Sequence, residues 1–130
     1  MKKVIPFLMF QGNAAEAINT YTSIIEDSSI INITHYGPNE AGAEGSVMSA
    51  TFRVKDQEIM CIDSSIKHNF TFTPSFSLYI ICDNEEEINK LFEQLSGGGS
   101  ILMPLDNYGF SKRFGWFTDK FGVSWQLNLE

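Results

Sequence analysis

Cationic side chains are scarce in this sequence: nine Lys and Arg stand against sixteen Asp and Glu among 130 residues, a formal net charge of -7. Holding a polyanion takes clustered cations, so no nucleic acid is expected as a partner. Cysteine is nearly absent. Cys61 and Cys82 sit in separate apolar runs without the Cys-x-x-Cys spacing of a zinc or redox site, and two reduced, buried thiols are expected. Long apolar runs are missing too. Met1-Lys2-Lys3-Val4-Ile5-Pro6 opens like a leader, but Gln11, Gly12 and Asn13 end the run far short of a bilayer span, so a cytoplasmic protein without membrane association is expected. Histidine is limited to His35 and His68, and no nucleophile stands beside a base in sequence. The one glycine run, Gly97-Gly98-Gly99, follows a helical segment, whereas a phosphate loop would open one; it reads as a C-cap and return turn.

What the chain does have is pattern, at a length that fits one domain burying roughly two-thirds of its unfolded surface without a disulfide or metal staple. Val4 to Phe10 reads as a short strand, with Pro6 near its start. Asn13 is the expected N-cap of a helix, Glu16 completes a capping box, and Ala14, Ala17, Ile18, Tyr21, Ile24 and Ile25 recur at helical spacing. Ser28 to Tyr36 reads as a strand, and Ser46 to Val54 with Glu58 to Ile62 as a hairpin about Lys55-Asp56-Gln57. The aperiodic segment from Ile66 to Pro74 carries His68, Phe70 and Phe72 and is either a crossover or a pocket rim. Ser77 to Cys82 is a strand, Asn84 to Leu95 a helix with Glu85, Glu86 and Glu87 in its first turn, and Ile101 to Leu105 a strand.

The closing stretch is the most informative. Phe114 to Thr118 and Val123 to Leu129 flank Asp119-Lys120-Phe121-Gly122, where Gly122 supplies the positive φ of a tight reversal. Strand alternation puts Val123, Trp125, Leu127 and Leu129 on one face and Ser124, Gln126 and Asn128 on the other. Tyr79, Phe110, Phe114, Trp116 and Trp125 pack a core or line a pocket, and Trp116 with Trp125 reads as a cross-strand pair on adjacent arms.

At an offset of 70, the segment from Leu8 to Asn19 lies over that from Leu78 to Asn89, each a strand running into a capped helix and followed by a strand and a hairpin. The chain thus reads as two copies of β-α-β-β-β, about residues 1-66 and 75-130. The expected class is α+β, with paired βαβββ modules forming a curved mixed sheet, helices on the outer face and a concave polar surface for a ligand.

Phe10-x-Gly12-Asn13-Ala14-x-Glu16-Ala17-x-x-x-Tyr21, Ser77-Leu78 and Gly115-Trp116-x-x-Asp119-Lys120-Phe121-Gly122-Val123-Ser124-Trp125-Gln126 resemble the PhnB-like proteins, also called demethylubiquinone methyltransferase-like. These belong to the glyoxalase/bleomycin-resistance, or vicinal oxygen chelate, superfamily. The resemblance spans nearly the whole chain and implies paired modules, homodimers and sites in the concave sheet. Catalytic relatives hold a divalent metal at four strand positions, which fall here at Pro6, near Cys61 or Asp63, near Ser77 and at Gln126. Pro6 and Ser77 depart from that pattern, leaving Asp63 and Gln126 as oxygen donors with His68 a distant addition. The methyltransferase label finds no support, because no glycine-rich strand-to-helix turn is present for S-adenosylmethionine. The expectation is therefore a small-molecule-binding protein with no cofactor and candidate ligand-binding residues Asp63, His68, Ser77, Tyr79, Trp116 and Gln126. The alternative is a metal-dependent enzyme of the glyoxalase/dioxygenase type, with a divalent ion recruited across a dimer and Asp63, Ser77 and Gln126 around the reacting group.

Overall fold

The computed structural model describes residues 1–130, which divide into two compact units, Met1–Asn69 and Phe70–Glu130. In the first, β1 (Phe7–Phe10), α1 (Ala14–Ile24), β2 (Ser28–His35), β3 (Val47–Val54) and β4 (Gln57–Asp63) form a sheet of order β1-β4-β3-β2. The second repeats the plan with β5 (Ser77–Ile81), α2 (Glu85–Ser96), β6 (Ser100–Asp106), β7 (Arg113–Thr118) and β8 (Ser124–Leu129), in the order β5-β8-β7-β6. First and last strands of each unit pair in parallel and the remaining neighbours antiparallel. The α+β class and the two βαβββ modules expected from the repeat are what the chain adopts. No helix is long and apolar enough to cross a membrane.

Each helix covers one face of its own sheet. Ala14, Ala17, Ile18 and Tyr21 are the buried stripe of α1, matched by Leu8, Phe10, Ala50, Phe52, Ile59 and Cys61 at alternate strand positions. Tyr21 and Phe52 meet with ring centroids 6.0 Å apart. On α2, Ile88, Leu91, Phe92 and Leu95 are buried, and Phe92 meets Phe117 edge-on at 5.1 Å. Gly115 makes room for that ring, since a Cβ there would lie 2.5 Å from it.

The two helices start differently, and here the capping expectation is corrected. Asn13 makes no side-chain cap bond. The carboxylate of Asp63 does the capping from 49 residues away: Oδ1 accepts from the backbone N–H of Gly12 at 2.8 Å and Ala14 at 3.0 Å, while Oδ2 accepts from Val47 N–H at 2.9 Å. The parallel register pairs Phe10 with Asp63 and so brings that carboxylate to the helix start. The second unit lacks that carboxylate: at the offset of 70, Ile80 pairs with Leu127, whose side chain has no acceptor. Accordingly α2 caps itself. Asn84 Oδ1 accepts from Glu87 N–H at 2.8 Å and Glu87 Oε1 accepts from Asp83 N–H at 2.8 Å, so the capping box expected of the first helix belongs to the second.

The three glycines after α2 form the return turn that was expected. Gly98 has φ 79°, Gly99 N–H donates to Ser96 O at 3.0 Å, and a Cβ on Gly99 would lie 1.9 Å from Thr118 O. Both cysteines are free and buried. Burial, with Asp63 second, pushes the Cys61 thiol up to about 12; burial, then Glu87 and Asp83, does the same for Cys82. Both thiols are therefore protonated near neutrality in this setting.

Candidate functional site

The sheet of the second unit has a face that α2 does not cover. Register fixes its contents, because residues paired across neighbouring strands point the same way. Three rows cross β5, β8 and β7: Ser77, Ser124 and Thr118; Tyr79, Gln126 and Trp116; Ile81, Asn128 and Phe114. None of these nine side chains is charged. Trp125 and Leu127 belong to the opposite face and are buried at 1% and 0% exposure. Trp125 pairs with Phe117, and Trp116 with Gln126, so the two tryptophans are not the cross-strand pair that adjacency suggested.

Four members of this grid share a hydrogen-bond chain. Trp116 Nε1–H donates to Ser124 Oγ at 2.9 Å, Ser124 Oγ lies 2.7 Å from Ser77 Oγ, and Gln126 Nε2–H donates to Ser77 Oγ at 3.2 Å. Ser124 is buried at 1% exposure, so its own proton must stay inside the protein, and Ser77 is the acceptor within reach. The protons therefore run Trp116 to Ser124 to Ser77, with Gln126 also donating to Ser77. That ordering frees one hydroxyl proton, on half-buried Ser77, and leaves Gln126 Oε1 without a protein donor. Asn128 adds a buried Oδ1 with no partner.

Aromatic rings adjoin this chain. Tyr79 and Phe114 have centroids 6.4 Å apart, and the 107–112 loop adds Phe110 and Tyr108 at 5.1 and 6.2 Å from Phe114. Tyr79 is 52% and Phe110 63% exposed, too open for core residues. The placement of β8 depends on the preceding turn. Asp119 Oδ1 accepts from Phe121 and Val123 N–H at 2.8 and 3.0 Å, its Oδ2 accepts from Trp125 Nε1–H at 2.8 Å, and Gly122 has φ 93°.

Four sequence candidates, Ser77, Tyr79, Trp116 and Gln126, thus share one face. Ser124, central to their hydrogen bonding, was visible only as a polar neighbour of Gln126 in the alternation. Asp63 requires correction: it lies on the α1 face at 3% exposure, and both its oxygens are taken up by backbone N–H groups. His68 is a loop tie, with Nε2 at 3.0 Å from Ser64 Oγ and its backbone N–H donating to Gln11 Oε1 at 3.4 Å. His35 Nδ1 lies 2.9 Å from Gly45 O at the end of β2.

The donor set does not fit a divalent ion at the four superfamily positions. Pro6 has no side-chain donor, Cys61 and Asp63 face α1, and the remaining pair, Ser77 and Gln126, are bonded to each other. The uncovered face of the first unit carries Phe7, Met9, Met60 and Ile62 at the rows matching Ser77, Tyr79, Ser124 and Gln126. No group of three or more His, Cys, Asp or Glu side chains is placed to hold a metal.

A family model described as 3-demethylubiquinone-9 3-methyltransferase matches residues 2–128. A solved structure from Bacillus cereus, described as a putative 3-demethylubiquinone-9 3-methyltransferase, PhnB protein, is 55% identical, with a TM-score of 0.96 over 99% of this chain and 100% of that one. Protein YjdN of Escherichia coli K12 is 26% identical over 95% of this chain and 92% of its own length. More distant structures share the fold: FosX of Listeria monocytogenes, solved with Mn(II), at 13% identity over 98% of this chain and 92% of that one with TM-score 0.64, and a glyoxalase family protein of Enterococcus faecalis at 18% identity over 98% of both chains with TM-score 0.61. The chain belongs to the PhnB-like family carrying the 3-demethylubiquinone-9 3-methyltransferase description, and it shares its fold with FosX and the glyoxalase family protein.

Proposed function

We propose that the chain binds a small molecule on the uncovered face of β5, β8 and β7 and does so without a catalytic metal. The carrying observation is the chain of Trp116, Ser124, Ser77 and Gln126, with unspent hydrogen-bonding capacity beside exposed Tyr79 and Phe110. An ordinary core would not leave that combination open. Methyl transfer draws no support from the fold: both sheets are mixed, and the glycine run closes α2 instead of opening a helix.

A thermal-shift screen of metabolites and of nickel, zinc, manganese and iron, run beside metal analysis of the purified protein, tests this reading. A metabolite is expected to raise the melting temperature with no metal present. Gln126→Ala should weaken that ligand about tenfold and move the melting temperature by less than about 2 °C. A stoichiometric, tightly held metal would overturn the metal-free reading in favour of the glyoxalase/dioxygenase type of enzyme.

The working unit is proposed to be a homodimer. Phe7, Ile31, Ile81, Ile101 and Leu102, all on edge strands, are exposed, and open edges bearing apolar side chains favour association. Light scattering at micromolar concentration is expected to give twice the chain mass, and a monomer there would contradict this.

A further inference from the structure

We infer that the ligand on this face is a neutral, flat aromatic carrying a lactam or carboxamide edge, its carbonyl oxygen on the Ser77 hydroxyl and its N–H on Gln126 Oε1. This deepens the binding reading above and rests on it. Charge is the first constraint. The nine side chains of the grid offer no counter-charge, the chain carries a net -7, and burying an unpaired ion is costly. Proton accounting is the second. The hydrogen-bond chain leaves a donor, Ser77 Oγ–H, beside an acceptor, Gln126 Oε1, on groups already joined at 3.2 Å, with the second Nε2 hydrogen of Gln126 a further unspent donor. A donor and acceptor so close together are complemented by an amide edge.

The third constraint is Asn128. Its Oδ1, on a side chain 8% exposed, is a second amide oxygen without a donor on the same face of β8. An acceptor-only carboxylate would leave both amide oxygens without a donor, whereas a ligand N–H satisfies one of them. The exposed rings of Tyr79 and Phe110, both backed by buried Phe114, match a flat partner by offset or edge-on packing. If the Gln126 amide were turned half a rotation, its NH2 would face outward, the Ser77 proton would be used internally, and an acceptor-only ring would be preferred.

Three test compounds separate these cases: 2-quinolone, N-methyl-2-quinolone and quinoline-2-carboxylate. Binding is followed by the Trp116 indole N–H proton resonance, assigned with Trp116→Phe. The expected result is that 2-quinolone binds about tenfold more tightly than either analogue, and that this advantage disappears in Gln126→Leu and shrinks in Ser77→Ala. Equal or tighter binding of the carboxylate, with the Trp116 resonance moving, overturns the amide-edge inference and leaves the binding face standing. An advantage that survives Gln126→Leu also overturns it. If no compound moves the Trp116 resonance at millimolar concentration, the inference and the proposed face fall together.

Discussion

Asp63→Ala is expected to lower the melting temperature by about 10–20 °C, corresponding to about 3–5 kcal/mol for a chain of this size. The carboxylate accepts from Gly12, Ala14 and Val47, and Ala14 and Val47 are fully buried, so water does not readily replace it. Truncation strands three backbone donors where α1, β3 and β4 converge. Asp63→Asn should cost roughly half as much: one oxygen still accepts from Gly12 and Ala14, while the new NH2 opposes the Val47 N–H. Thermal unfolding followed by circular dichroism checks both. A melting temperature within about 3 °C of the parent for Asp63→Ala would sink the clamp. Lost ligand affinity with stability intact would return Asp63 to the site.

Asp119→Ala should be nearly as severe, with about 3 kcal/mol lost and the melting temperature lowered by about 10 °C. Its side chain holds the turn through Phe121 and Val123 and anchors the indole of Trp125, the largest fully buried side chain. Since β8 lies between β5 and β7, loosening its start frees both neighbours. Asp119→Asn keeps an oxygen for the two turn N–H groups and gives up only the indole bond, so a loss of about 1 kcal/mol is expected. Denaturant midpoints at constant slope measure the difference. Equal losses for Ala and Asn would mean that the Trp125 bond, not the turn, carries the energy.

Much of this was legible from residues alone. Strand alternation in the closing hairpin placed Ser124, Gln126 and Asn128 on one face correctly, because a period of two needs no knowledge of partners. The helix stripes of α1 and α2 were legible for the same reason. What failed was information set by pairing across distance. Asp63 looked like a pocket residue because it is an acid at a strand end; only the parallel register with Phe10 shows that it faces α1. Asn13 looked like a cap because local spacing allowed it, yet a better acceptor arrives from another strand. Trp116 and Trp125 looked paired because they are on adjacent arms, whereas a nine-residue separation about this turn puts them on opposite faces. The hydrogen-bond order among Ser77, Ser124, Trp116 and Gln126 depends on three strands meeting and has no local signature.

The different origins of the two caps bear on the order in which the chain folds. The cap of α2 is complete within five residues, Asp83 to Glu87, so this helix can nucleate from local interactions. That of α1 needs Asp63, and hence must wait until β4 has been synthesised and has docked beside β1. During synthesis the earlier-made helix therefore gains its N-terminal anchor through a slow, long-range closure, and the later-made one does not.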